Sequence, residues 1–120
     1  MTAENTIVRK SKDFAVRCVN AYKFLSEQQH EYVMSRQLLK SGTRIGANVK
    51  EAIRGQAKPD FGAKMNIALK EASETEYWIE LLGETGYLDE RMTESLLADC
   101  VELLRLLTSI VKTTFSEKNK

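Results

Sequence analysis

The sequence predicts an all-α protein, an antiparallel up-down-up-down four-helix bundle. Three observations carry that prediction. Four segments repeat apolar residues every three or four positions, which is the helical period. No segment alternates apolar and polar residues in the way a half-buried strand does. Gly55, Pro59 and Gly86 mark the breaks around the third segment, and two glycines lie inside the second. Helices of about 15–25 residues joined by short connections pack against antiparallel neighbours. The chain of 120 residues is 42% hydrophobic and 29% charged, so one globular domain over 1–120 is expected, not a disordered chain.

The first helix is expected over about residues 11–26, opened by Ser11 or Asp13, with Phe14, Cys18, Ala21 and Leu25 as its apolar stripe. The polar run from Ser26 to Glu31 then turns the chain. The second helix is expected over about 33–54. Leu38, Gly42, Ile45, Val49, Ala52 and Gln56 follow a bundle-like seam closed by one polar residue. Pro59 suits the start of a third helix, over about 60–84, with Lys58 before it pushed out of helical geometry. Phe61, Met65, Ala68, Leu69, Ala72, Ile79 and Leu82 line its face, and Gly86 ends it. Asp89 or Thr93 starts the fourth helix, about 89–114, whose seam runs Met92, Leu96, Cys100, Leu103, Leu107 and Ile110. The tail from Ser116 to Lys120 is expected to fray.

The second helix holds the most informative stretch, Ser35 to Ala52. Gly42 and Gly46 each cost about 1 kcal/mol relative to Ala inside a helix. A helix retains them where another backbone approaches closely or the helix bends. Asn48, a poor helix former, lies at the edge of the apolar face near Ser41 and Glu51. It reads as a polar pair that sets helix register, with a ligand site as the lesser alternative.

Composition excludes several functions. No apolar run is long enough to span a membrane. The first residues lack the apolar stretch of a signal peptide, so a cytoplasmic location is expected. Cys18 and Cys100 read as buried free thiols. The single histidine, His30, forms one Glu-x-x-His with Glu27. A di-metal bundle site needs two such pairs, so no metal and no cofactor are expected. There is no phosphate-binding GxxxxGK[ST] loop and no nucleophile–histidine set, so no enzyme activity is expected. Glu71, Glu74, Glu76 and Glu80 do not form one stripe and read as a solvated face.

Net charge is only +1, but it is divided unevenly. Residues 1–58 hold eleven Lys/Arg and five Asp/Glu, a balance of +6, and residues 59–120 hold seven and twelve, a balance of −5. The halves can pair within the fold or between subunits, or the first can offer a basic face to an acidic partner. At about 100° per residue, Arg36, Lys40, Lys50 and Arg54 fall on one side of the second helix, with Arg44 at its margin. The apolar seam lies opposite. Such a stripe can track the phosphates of RNA or DNA. For a single stripe on a near-neutral protein, a merely solvated face is the ordinary reading. No aromatic residues interleave with these cations in the sequence. The fourth helix also carries Val101, Leu104, Leu106 and Val111. That breadth, with Trp78 and Leu81 on the third, completes a thick core or leaves a patch for a second subunit.

The strings SRQLLKSGTRIGANVKEA and KMNIALKEASETEYWIELLGETGYL resemble the bacterial four-helix-bundle family of 23S rRNA-intervening-sequence proteins. The resemblance runs from Phe14 to Lys112. Its most specific elements are Ser41-Gly42-Thr43, Ile45-Gly46-Ala47-Asn48, Glu51-Ala52, Lys70-Glu71-Ala72 and Glu76-Tyr77-Trp78. It implies an up-down bundle and a ring-shaped homopentamer, and it brings no catalytic residues. The family name reports where some of its genes lie, not an activity. A related bundle, the accessory variability protein of diversity-generating retroelements, is a basic pentamer that binds nucleic acid and a reverse transcriptase. This chain is far less basic. Two departures from the family pattern, Arg44 and Lys50, both add to the basic stripe. The function expected is therefore a non-catalytic, self-assembling bundle that binds nucleic acid, structured RNA first. The alternative is a homo-oligomeric scaffold for a protein partner.

Overall fold

The computed structural model describes residues 3–55 and 57–118. It contains four α-helices: α1 (Ala3–Glu27), α2 (Met34–Arg54), α3 (Lys58–Glu84) and α4 (Glu90–Lys118). No strand occurs among the described residues. Each helix packs on its sequence neighbours and α1 closes the ring against α4, the thinnest of the four contacts. Contacts between helices show the antiparallel sense directly. Between α2 and α3, Ser41 meets Thr75, Arg44 meets Glu71, and Glu51 meets Lys64, so one number falls as the other rises. The rod measures 50 × 24 × 21 Å.

The core follows the apolar stripes. Phe14, Leu25, Leu38, Ile45, Met65, Ile79, Leu82, Leu103 and Leu107 are fully buried. Val101, Leu104, Leu106 and Val111 on the wide face of α4 are half-buried.

α1 begins eight residues before the expected Ser11. Ile7 and Ser11 both lie on its buried face, about two turns and one turn before Phe14. Ser11 looked like a cap because it is polar. In fact its hydroxyl donates to the Val8 carbonyl of its own helix at 3.2 Å. α3 starts at Lys58, not after Pro59. Proline costs little in a first turn, where its missing N–H would have had no partner, and Ala57 supplies the extended backbone before it. α4 runs to Lys118, past the expected end near residue 114 and into the segment expected to fray. Gln56 and residues 119–120 lie outside the described residues.

The turns are built by specific side chains. Glu31 caps α2. Its carboxylate accepts hydrogen bonds from the backbone N–H of Ser35 (2.7 Å), Met34 (3.1 Å) and Val33 (3.2 Å), while Ser35 Oγ donates back to the Glu31 carbonyl at 2.7 Å. Burial pushes this carboxyl up, but the donors outweigh it and hold it below its ordinary value. Gly86 ends α3 with a φ of +84°. The N–H of Tyr87 reaches the Leu82 carbonyl at 3.0 Å and that of Gly86 reaches Gly83 at 3.2 Å, a Schellman closure. Asp89 caps α4 by accepting from the Met92 N–H at 2.8 Å.

Candidate nucleic-acid interface

The buried seam of α2 dictates what its outer face presents. Ser35, Leu38, Ser41, Gly42, Ile45, Val49 and Ala52 are buried, which turns Arg36, Lys40, Lys50 and Arg54 to solvent. None of these four forms an ion pair among the described residues. At 1.5 Å per residue, Arg36 to Arg54 spans about 27 Å of one helix face. Glu51 is also exposed and borders the stripe, where it faces Lys64 of α3 at 3.7 Å.

Arg44 does not join the other four. Its guanidinium leans toward α3, with Nη1 3.9 Å from Glu71 Oε2. Glu71 is only 16% exposed. Burial pushes its carboxyl up, Arg44 pulls it down, Glu74 pushes it up and Lys40 pulls it down, and the net result lies above the ordinary value. At 3.9 Å, the Arg44 contact is too long to offset the lost hydration.

The two glycines mark the α1–α2 contact. A Cβ on Gly42 would sit 2.9 Å from Cys18 Cβ and closer still to its Sγ, and one on Gly46 would sit 3.3 Å from the Ser11 carbonyl oxygen. Among the described residues Asn48 makes no polar pair across the bundle. Its side-chain amide donates to the Arg44 carbonyl of its own helix at 2.8 Å. The buried polar pair between α2 and α3 is Ser41 with Thr75, at 2.8 Å.

Lys50 and Arg54 come together with a residue that the sequence reading did not single out, Lys12 of α1. The three line a groove of about 420 Å³ between α1 and α2, whose other lining includes Val8, Ala15, Gly46, Ala47 and Ile53. The signal was the excess positive charge of the first half of the chain, which could not be placed on a face without knowing how α1 packs. Arg36 and Lys40 lie toward the other end of α2 and do not line this groove. Part of the opposing charge is used internally: Lys10 pairs with Glu102 at 3.1 Å, and Arg17 with Asp99 at 2.7 Å.

No cluster of three His, Cys, Asp or Glu groups suits a metal ion among the described residues. Cys18 and Cys100 are buried and unpaired, and burial pushes both thiols up to about 12. No helix among the described residues is long and apolar enough to cross a membrane.

A model of one family, described as 23S rRNA-intervening sequence protein, matches residues 3–109. The chain belongs to this family. A crystal structure from the S23 ribosomal protein family of Bacteroides thetaiotaomicron, a protein of unknown function, is similar over 92% of this chain and 99% of that one. The two share 53% identity and a TM-score of 0.91. No curated protein matches the chain. Neither the 23S rRNA-intervening sequence family nor that neighbour indicates a catalytic activity.

Proposed function

We propose that this protein is a non-catalytic, self-assembling cytoplasmic bundle of one domain that binds structured RNA or another nucleic acid through the outer face of α2. The observation that carries this reading is the run of four exposed cations, Arg36, Lys40, Lys50 and Arg54, none in an ion pair among the described residues. Such groups contact phosphates and position a nucleic acid without reading its bases. Arg44 plays a smaller part, because Glu71 competes for it. The name of the S23 ribosomal protein family supports RNA as the first candidate.

Exposed apolar residues support self-assembly. Val16 and Tyr77 are more than half exposed, and Ile67 and Phe115 about two-fifths. A closed symmetric ring, in keeping with a homopentamer, would cover such surface and repeat the basic face around one axis. Avidity then raises a modest affinity per chain. Gly42 and Gly46 serve packing in this reading and contact no ligand.

A filter-binding titration with generic RNA over a salt series tests the proposal. Binding should weaken steeply with salt. No binding at low salt by a correctly assembled protein favours the second reading, a scaffold for a protein partner, which the same exposed apolar residues support.

A further inference from the structure

Phosphate binding alone does not explain the composition of the groove between α1 and α2. The residues that line it between the cations are mostly apolar, Val8, Ala15, Gly46, Ala47 and Ile53, and together serve as its floor. Val8 and Ile53 are each 38% exposed, so apolar surface faces water there. Both sides carry cations, Lys12 on α1 and Lys50 and Arg54 on α2, and no acidic residue among the described ones lines the groove. Thr43 stands on the α2 wall. Its hydroxyl donates to the Leu39 carbonyl at 2.7 Å, which leaves its oxygen able to accept a hydrogen bond.

The occupant that fits is an anion with an apolar body. A duplex turns phosphates outward and keeps its base faces stacked on one another, so it uses the rim and leaves the floor wet. An unpaired nucleotide offers a base face and its phosphates together. Resting on the nucleic-acid reading above, we infer that this groove takes the unpaired base of a single-stranded or looped RNA segment, with Lys12, Lys50 and Arg54 on the flanking phosphates. Lys12 is then a phosphate contact on a second helix. The base lies against Val8, Ala47 and Ile53, and the Thr43 oxygen accepts from a base amino group.

The test compares one labelled oligoribonucleotide as a single strand, as a blunt duplex, and as a single strand with abasic positions, each titrated by fluorescence anisotropy. Ala47→Leu fills the floor from an exposed position without changing charge. Ile53→Ser, also at an exposed position, removes apolar floor and stands in if Ala47→Leu folds poorly. Circular dichroism checks both. The wild type should prefer the intact single strand over the duplex and over the abasic strand. Either floor variant should weaken single-strand binding by about tenfold, as loss of one well-packed base does, and leave duplex binding unchanged. Lys12→Gln should flatten the salt dependence by about one unit of slope. Equal wild-type affinity for single strand and duplex overturns the inference. So does undiminished single-strand binding by both floor variants, which leaves the α2 stripe standing. Absence of RNA binding at low salt overturns both readings. An acidic amphipathic peptide that binds the wild type but not Ala47→Leu, while RNA binding persists, assigns the groove to a protein partner instead.

Discussion

Thr75 Oγ1 lies 2.8 Å from Ser41 Oγ across the α2–α3 interface, where both side chains are buried. Thr75 also lies 2.7 Å from the Glu71 carbonyl of its own helix, and Ser41 lies 3.5 Å from Leu38. Two hydroxyls thus satisfy each other inside an apolar seam.

Thr75→Val should destabilise the fold by about 1–3 kcal/mol, because it leaves Ser41 buried with only its long bond to Leu38. Ser41→Ala with Thr75→Val should cost less than the sum of the two single changes, since neither hydroxyl then lacks a partner. Urea denaturation of the four proteins in the cycle measures the difference. Strict additivity refutes the coupling.

Gly42→Ala should destabilise by about 1–3 kcal/mol from overpacking against Cys18. Helix propensity alone predicts a gain of about 1 kcal/mol, so the sign discriminates. Gly46→Ala should cost less, because its new methyl would meet Ser11 at a wider 3.3 Å. Gly42→Leu and Gly46→Leu should both be strongly destabilised. Melting of either Leu variant at or above the wild-type temperature would contradict the close approach.

Glu31→Gln should destabilise by about 0.5–2 kcal/mol at neutral pH through loss of a charged cap on three backbone donors. The folded protein holds this carboxyl below its ordinary value, so its contribution is present above the unfolded value of about 4.3. It is lost as pH falls through the folded value. The stability gap between wild type and variant should therefore close in acid, and denaturation at a series of pH values reads it. A gap that widens in acid refutes the cap. Glu71 has the opposite sign. Its folded value is raised, so protonation favours the folded state and Glu71→Gln should cost little or nothing at neutral pH.

Lys50→Gln with Arg54→Gln should lower RNA affinity similarly for unrelated sequences and flatten the salt dependence by about one unit per lost phosphate contact. Both positions point away from the buried seam, so the assembly should persist. Undiminished binding by the assembled variant removes these residues from the mechanism.

The four helices and nearly all the core were legible because apolar spacing carries that information locally. Ser11 shows where this fails. A serine on a buried face and a serine cap are identical letters, and only Ile7 before it hinted that the helix begins earlier. Asn48 failed for a related reason. Its amide had a partner one turn back on its own helix, while the cross-helix pair fell to Ser41 and Thr75, which are ordinary in the sequence. The exposed stripe on α2 could be read from helical angles. The turn of Arg44 toward Glu71, and the meeting of Lys12 with Lys50 and Arg54, depend on contacts between helices that no single segment encodes.

Cys18 and Cys100 make the protein its own stopwatch. Each thiol is buried and far from its reactive form at neutral pH, so a thiol reagent in solution meets nothing to attack while the helices stay together. Every labelling event must then wait for α1 or α4 to come away. The rate at which each cysteine is modified counts openings of its own helix, and a ligand that clamps α1 against α2 would slow the Cys18 clock while leaving that of Cys100 running.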